Sequence, residues 1–192
     1  MKIWVLNGFL FVLVIFMILM GNGYRFTPSS AAKSSDGFAK DAELIDEYHL
    51  ENFVIFLFKS DEEEKYQTVL SEKKGILYKS PTISNLSYTS GNLQTVGYLM
   101  YSSEKGTVAM ISVISRDEEV AYIEVGVEPK VRRKEVTKGE RISFLFSFHA
   151  PSELQYLTAY NKDGKRLYFF GYPEDSEVHR MEDIGWYKFK NE

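Results

Sequence analysis

The chain of 192 residues carries 23 basic and 27 acidic side chains, three histidines and no cysteine, with 44% hydrophobic and 15% aromatic content. This supplies a core for one ordinary domain or two small ones, and it excludes a disordered chain, a disulfide scaffold, a thiolate metal site and a lipidated cysteine. Only Lys2, Arg25 and Lys33 are charged before Ser34, so the rest of the chain holds 20 basic against 27 acidic residues, a balance that argues against nucleic acid as a partner.

Ile3 to Met20 is an almost unbroken apolar run, IWVLNGFLFVLVIFMILM, with Asn7 its one strongly polar side chain. Eighteen helical residues span roughly 27 Å, near the lower limit for a hydrocarbon core. No polar face is present, which separates this run from an amphipathic core helix. Residues 1–20 therefore read as a transmembrane anchor. The competing reading is a cleaved signal peptide, with Lys2 as its charged end and Gly21-Asn22-Gly23 or Ser30-Ala31-Ala32 as the processing site. The run exceeds the usual length of a signal-peptide apolar region, which favours retention. Both readings put the body outside the membrane, secreted if the segment is cleaved. Residues 21–35, rich in Gly, Ser, Thr, Pro and Ala, read as a flexible linker.

Asp36 to Asn52 shows Phe38, Ala42, Ile45 and Tyr48 at spacings of four, three and three, which predicts an amphipathic helix. FVIFLFKS (53–60) follows as a strand. Beyond it, charged turns ending in glycine, at Ser71–Gly75, Ser102–Gly106 and Asn161–Gly164, separate apolar runs and predict hairpins. Ile123, Val125 and Val127 alternate with polar neighbours. Ile142, Phe144, Phe146 and Phe148 do the same and read as the core seam of a sandwich. Pro129 marks the expected boundary between an α+β part (36–128) and an antiparallel, sandwich-like part (129–172). The last segment, 173–192, reads as a polar tail, with one or two helical turns before Gly185. The fold class is thus α+β and mostly antiparallel β: a transmembrane helix, one amphipathic helix, then β-hairpins with a C-terminal sandwich-like part.

Little in this pattern carries chemistry. Ser-x-x-Lys occurs at Ser30/Lys33, Ser71/Lys74 and Ser102/Lys105, in linker and turns, without the companion motifs of penicillin-interacting enzymes. His179, with Glu182 and Asp183 one turn away, is a weak candidate for a metal site, and a solvated polar tail explains the same residues. His49 between Glu47 and Glu51 would not share a helix face with either. Asp61–Glu64 lacks the spacing of a calcium loop. Arg132, Arg133 and Lys134 suit an anionic wall polymer or lipid headgroups, or an edge strand kept soluble by charge. Tyr168, Phe170 and Tyr172 alternate with Leu167 and Phe169, so a row of aromatics is available either to stack on a ligand or to pack a sandwich. Tyr168 and Tyr172 are the two expected to stay outside, and Phe170 the one to be buried.

The anchor, the acidic helix, the stretches VLSEKKGILYKS and KGERISFLFSFHAPSELQYLTAYNKDGKRLYFFGYP, and the ending MEDIGWYKF together resemble small uncharacterised exported proteins of Bacillus-type Gram-positive bacteria. The resemblance implies an extracytoplasmic location and transfers no catalytic residue. The functional expectation is a membrane-anchored, non-enzymatic interaction module of the cell envelope, without cofactor, whose partners are the membrane and another envelope protein or wall polymer. An inhibitor or immunity-type protein would behave in the same way. The alternative is an envelope hydrolase or metal-dependent enzyme using His179 and its carboxylates.

Overall fold

The computed structural model describes residues 2–126, 131–148, 157–173 and 183–190, with side chains described throughout these ranges except at 2–7, 9 and 148. The chain divides into two compact units, residues 1–85 and 86–192.

The N-terminal unit begins with helix α1 (Lys2–Gly21). Each side chain from Leu10 to Ile18 is apolar and between 41% and 66% exposed. Among the residues whose side chains are described, which in α1 are Gly8 and Leu10 to Gly21, no helix is long and apolar enough to cross a membrane. The last carbonyls of α1 are met by side chains: Asn22 Nδ2 donates to Ile18 O (2.8 Å) and Arg25 Nη1 to Met20 O (2.7 Å).

Residues 28–33, expected within a linker, form helix α2 (Pro28–Lys33). Thr27 caps it by accepting from the Ser30 amide (3.2 Å), and Pro28 takes the first turn, where its missing N–H costs nothing. Ala31 and Ala32 are fully buried. Their small side chains let the helix backbone lie close on a four-stranded sheet, β1 (Glu43–His49), β2 (Phe53–Ser60), β3 (Lys65–Lys74) and β4 (Leu77–Ser87), paired in chain order. The core between helix and sheet joins Ala32, Val54, Phe56, Phe58 and Val69, with Phe38, Ala42 and Ile83 packed against it.

The helix expected over 36–52 is replaced by strand β1. A bulge explains the disguise: Leu44 pairs with Phe58 and Asp46 with Leu57, so Ile45 is an extra residue. The insertion breaks the period of two, and the residual spacing mimics a helical stripe.

The C-terminal unit contains two antiparallel sheets. One is β5 (Leu93–Ser103), β6 (Gly106–Ser115) and β9 (Arg141–Phe148), in that order. The other runs β12-β11-β10-β7-β8, made of β7 (Tyr122–Val125), β8 (Arg132–Glu135), β10 (Leu157–Tyr160), β11 (Arg166–Gly171) and β12 (Gly185–Lys188). Alternate residues of both sheets share one core: Ala109, Ile111 and Val113 of β6, Ile142, Phe144 and Phe146 of β9, Ile123 and Val125 of β7, and Leu157 and Ala159 of β10. Neighbouring pairs β6/β9 and β7/β10 belong to opposite sheets, so the chain crosses repeatedly between layers.

This pairing moves the expected boundary. Pro129 itself lies outside the described residues, but β7 before it pairs with β10 after it, so no domain border falls there. The C-terminal segment, expected as a polar tail, joins the five-stranded sheet, while the helical turns expected before Gly185 fall almost wholly outside the described residues. Gly185–Lys188 is a strand, with Phe170 opposite Trp186, and the Trp186 indole donates to Thr95 Oγ1 on the other sheet (3.0 Å).

Candidate binding surface

The register of the five-stranded sheet fixes which side chains it turns away from the core. Ile123, Leu157 and Ala159 are buried, so their strand neighbours face outward. One outward rung reads Arg133, Glu124, Thr158, Phe169 and Tyr187 across β8-β7-β10-β11-β12. The next reads Glu135, Tyr122, Tyr160 and Arg166. Rings cluster on this face. Phe169 lies 5.8 Å from Tyr187 and 5.1 Å from Phe189, and all three are half-buried. Tyr122 and Tyr160 stack at 4.9 Å with an interplanar angle of 9°, and the Arg133 guanidinium lies 3.3 Å from the Tyr122 ring centre, so Tyr122 is buried at 7% exposure and Tyr160 is the more open ring of the pair. Burial, and then the Glu124 charge, hold the Tyr160 phenol above its usual pKa, so it remains a neutral ring with a polar tip. A face of rings with charges at its margins is suited to stacking on flat or ring-shaped ligand groups and to hydrogen bonding at their rims.

Tyr168 is not on this face. It is only 5% exposed and belongs to the core between the sheets, opposite Ala159. Its hydroxyl donates to Asp117 Oδ2 (2.6 Å) and accepts from Asn92 Nδ2 (2.7 Å). The sequence alternation separates Tyr168 and Phe170 from Phe169 correctly, but the core takes the other set. A bulge contributes: Ala159 pairs with Tyr168 and Tyr160 with Arg166, so Leu167 is the extra residue and is buried beside Tyr168. Phe170 packs against the core as expected, and Tyr172 is half-buried.

The basic run occupies β8, an edge strand, beside β9, the edge of the other sheet. An open cleft of about 440 Å³ lies between them, lined by Arg132, Arg133, Lys134, Ser143, Phe144 and Leu145. Arg132 donates to Leu145 O and lies 4.6 Å from the Phe146 ring centre. Lys134 donates to Ser143 O (2.7 Å) and lies 5.6 Å from the Phe144 ring centre. Two of the three cations thus satisfy edge carbonyls of β9, which closes the sandwich side against further strand pairing. Arg133 alone of the three turns to the outer aromatic face.

Among the described residues no three His, Cys, Asp or Glu side chains are placed to hold a metal ion. His179 and Glu182 lie outside the described residues, as does His149. The Asp183 carbonyl accepts from the Tyr187 hydroxyl (2.6 Å). His49 does meet Glu47, Nε2 to Oε1 at 3.2 Å, because residues two apart share a face on a strand. Both are well exposed on β1, an edge strand. The serines of the three Ser-x-x-Lys motifs are engaged elsewhere: Ser30 with Thr27 (2.8 Å), Ser71 with Pro28 O (2.7 Å) and Ser102 with Thr107 (2.8 Å). Comparison with protein-family models, curated proteins and solved structures finds no match.

Proposed function

We propose that the protein is a membrane-anchored, extracytoplasmic interaction module without catalytic activity of its own, and that the outer face of the five-stranded sheet binds another envelope component. The observation that carries the reading is the N-terminal helix. Its sequence is apolar from Ile3 to Met20 apart from Asn7 and Gly8, and every side chain from Leu10 to Ile18 is open to the surroundings. Nine consecutive large apolar side chains exposed to water would be a severe aggregation liability, whereas in lipid the same exposure is favourable. The recognition surface follows from the two outward rungs, with Phe169, Tyr187 and Phe189 as apolar anchors and Arg133, Glu124, Glu135 and Arg166 at the margin. A wall polymer or a protein partner fits this chemistry.

The test has two parts. A reporter active only after export, fused after Glu192, should be active while the protein remains in the membrane fraction. A cytoplasmic signal would reject the topology, and release into the medium would convert the anchor into a signal peptide. Crosslinking in intact membranes should then recover a partner with the wild-type chain and lose it when Phe169 and Tyr187 are both replaced by serine. Undiminished recovery with that variant would reject the aromatic face.

A further inference from the structure

The end of helix α1 and the β3–β4 hairpin meet at one point of the N-terminal unit. Arg25 and Tyr78 exchange backbone hydrogen bonds, amide to carbonyl in both directions, at 2.8 and 2.7 Å. Ile76 is two residues before Tyr78, roughly 7 Å along an extended chain. It is 85% exposed, the most open of the large apolar side chains described. The turn around it is tight because Gly75 takes φ +67°, so the isoleucine is carried at the tip instead of folding back on the sheet. Lys73 on the same hairpin is exposed. Lys79, just beyond the bridge, holds its ammonium 5.4 Å from the ring centre of Tyr24. Of the acids at this end, Glu72 is buried against Lys74 (2.8 Å), and Glu51 lies on the neighbouring β1–β2 turn. Cations therefore outnumber exposed acids here. At the opposite end of the sheet the β2–β3 turn is acidic, Asp61-Glu62-Glu63-Glu64, and exposed throughout.

We propose that the tip of the β3–β4 hairpin is a second membrane contact, in which Ile76 enters the headgroup layer of an anionic leaflet and Lys73 and Lys79 engage its phosphates. This rests on the reading of α1 as the anchor. Given that anchor, only Asn22, Gly23 and Tyr24 separate Gly21 from the Arg25 bridge, and Pro28 to Ala39 is docked on the sheet, so no slack lets the hairpin end drift away. An exposed apolar residue flanked by cations, with Tyr24 beside the helix end, is the composition that membrane interfaces favour. The acidic turn at the other end is repelled by the same surface. The two contacts together would orient the N-terminal unit, sheet end down, instead of leaving it to swing on a tether.

The absence of cysteine makes the test direct. Full-length Ile76→Cys and Glu62→Cys variants, each labelled with an environment-sensitive fluorophore, are reconstituted into phosphatidylglycerol–phosphatidylcholine vesicles. The probe at position 76 should be quenched several-fold more strongly by a headgroup-attached quencher than the probe at 62, and should be shielded from aqueous iodide. In phosphatidylcholine alone the difference should shrink. Equal accessibility of the two positions, in protein that resists alkaline extraction, would overturn the hairpin contact while leaving the anchor standing. Extraction of the protein by alkali would overturn the anchor and the contact together.

Discussion

The Tyr168 ring is buried in the core and its hydroxyl reaches the core's margin, donating to the half-buried Asp117 and accepting from the exposed Asn92. Burial by itself would push the Asp117 carboxyl up, but the hydrogen bonds from Tyr168, the Glu119 amide and Asn92, with the Lys188 charge, hold it below the ordinary aspartate range. Burial and then the Asp117 bond push the Tyr168 phenol up. The signs define a window. Stability from Asp117 is present above the unfolded aspartate pKa and is lost as pH falls through its lower folded value. Stability from Tyr168 is present below the ordinary phenol pKa and is lost as pH rises through its higher folded value. Tyr168→Phe should therefore cost about 2 kcal/mol near neutral pH, and its acid unfolding midpoint should move to higher pH, both read by denaturant melts across pH. An unchanged acid limb would mean that Asp117 draws its stability from other partners. Phe146→Ala, at a side chain 2% exposed, should cost about 3–5 kcal/mol in the same assay. Ile142, Phe144 and Phe146 were legible as the buried seam of β9 because Ser143, Leu145 and Ser147 alternate with them, while the Phe148 side chain lies outside those described. The role of Tyr168 was not, since two adjacent aromatic sets compete for the core on β11 and composition alone does not choose between them.

At the scale of elements, the segment from Thr27 to Asp41 behaves as one strap across β3. Ser71 donates to Pro28 O (2.7 Å), and Gln67, fully buried, accepts from the Ala39 amide (2.9 Å) and donates to Gly37 O (2.9 Å) and Asn85 Oδ1 (2.7 Å). Further along, Asp41 accepts from Ser60 Oγ (2.7 Å) and the Glu62 amide (3.0 Å), in that order of weight the bonds that hold its carboxyl below the usual range. Gln67→Ala leaves the Ala39 amide and the Gly37 carbonyl without their shared partner, at a cost of about 1–3 kcal/mol. The strap should loosen before the sheet does. Trypsin cleavage at Lys33 and Lys40, both exposed, should accelerate in this variant relative to cleavage in the C-terminal unit. Uniform acceleration across the chain would indicate global destabilisation instead. Sequence composition hid the strap because Gly, Ser, Pro and Ala are also linker residues. The readable signal was Thr27-Pro28, a cap followed by a helix-starting proline, with two alanines small enough to be buried. The β12 strand was hidden for a related reason: residues 172–184 separate it from its partner, β11, and four residues are too few to show a period.

Across the whole molecule, the charge pattern and the two cores bear on the anchor. Neither the core beneath α2 nor the core between the two C-terminal sheets includes a described side chain of α1. The contacts of α1 with the body that can be named are local: Phe16 against Phe26 at 5.9 Å and Arg25 on the Met20 carbonyl. A chain beginning at Gly21 should therefore keep these two cores intact, because neither includes a described side chain of α1 and the Arg25–Tyr78 bridge remains. Its melting temperature should stay within a few degrees of that of the full-length protein in detergent, a shift on the order of 1 kcal/mol at most. The two should part in their partitioning. Full-length protein should remain in the membrane after high salt and alkaline washes, as an inserted helix does. The truncated chain should be soluble, and any residual association through the hairpin cations should disappear when salt shortens the screening length. If the truncated chain instead unfolds or aggregates, α1 is a folding element whose exposed side chains are covered by protein. The exposed apolar run would then have to be explained by a partner chain, and the lipid anchor would fall.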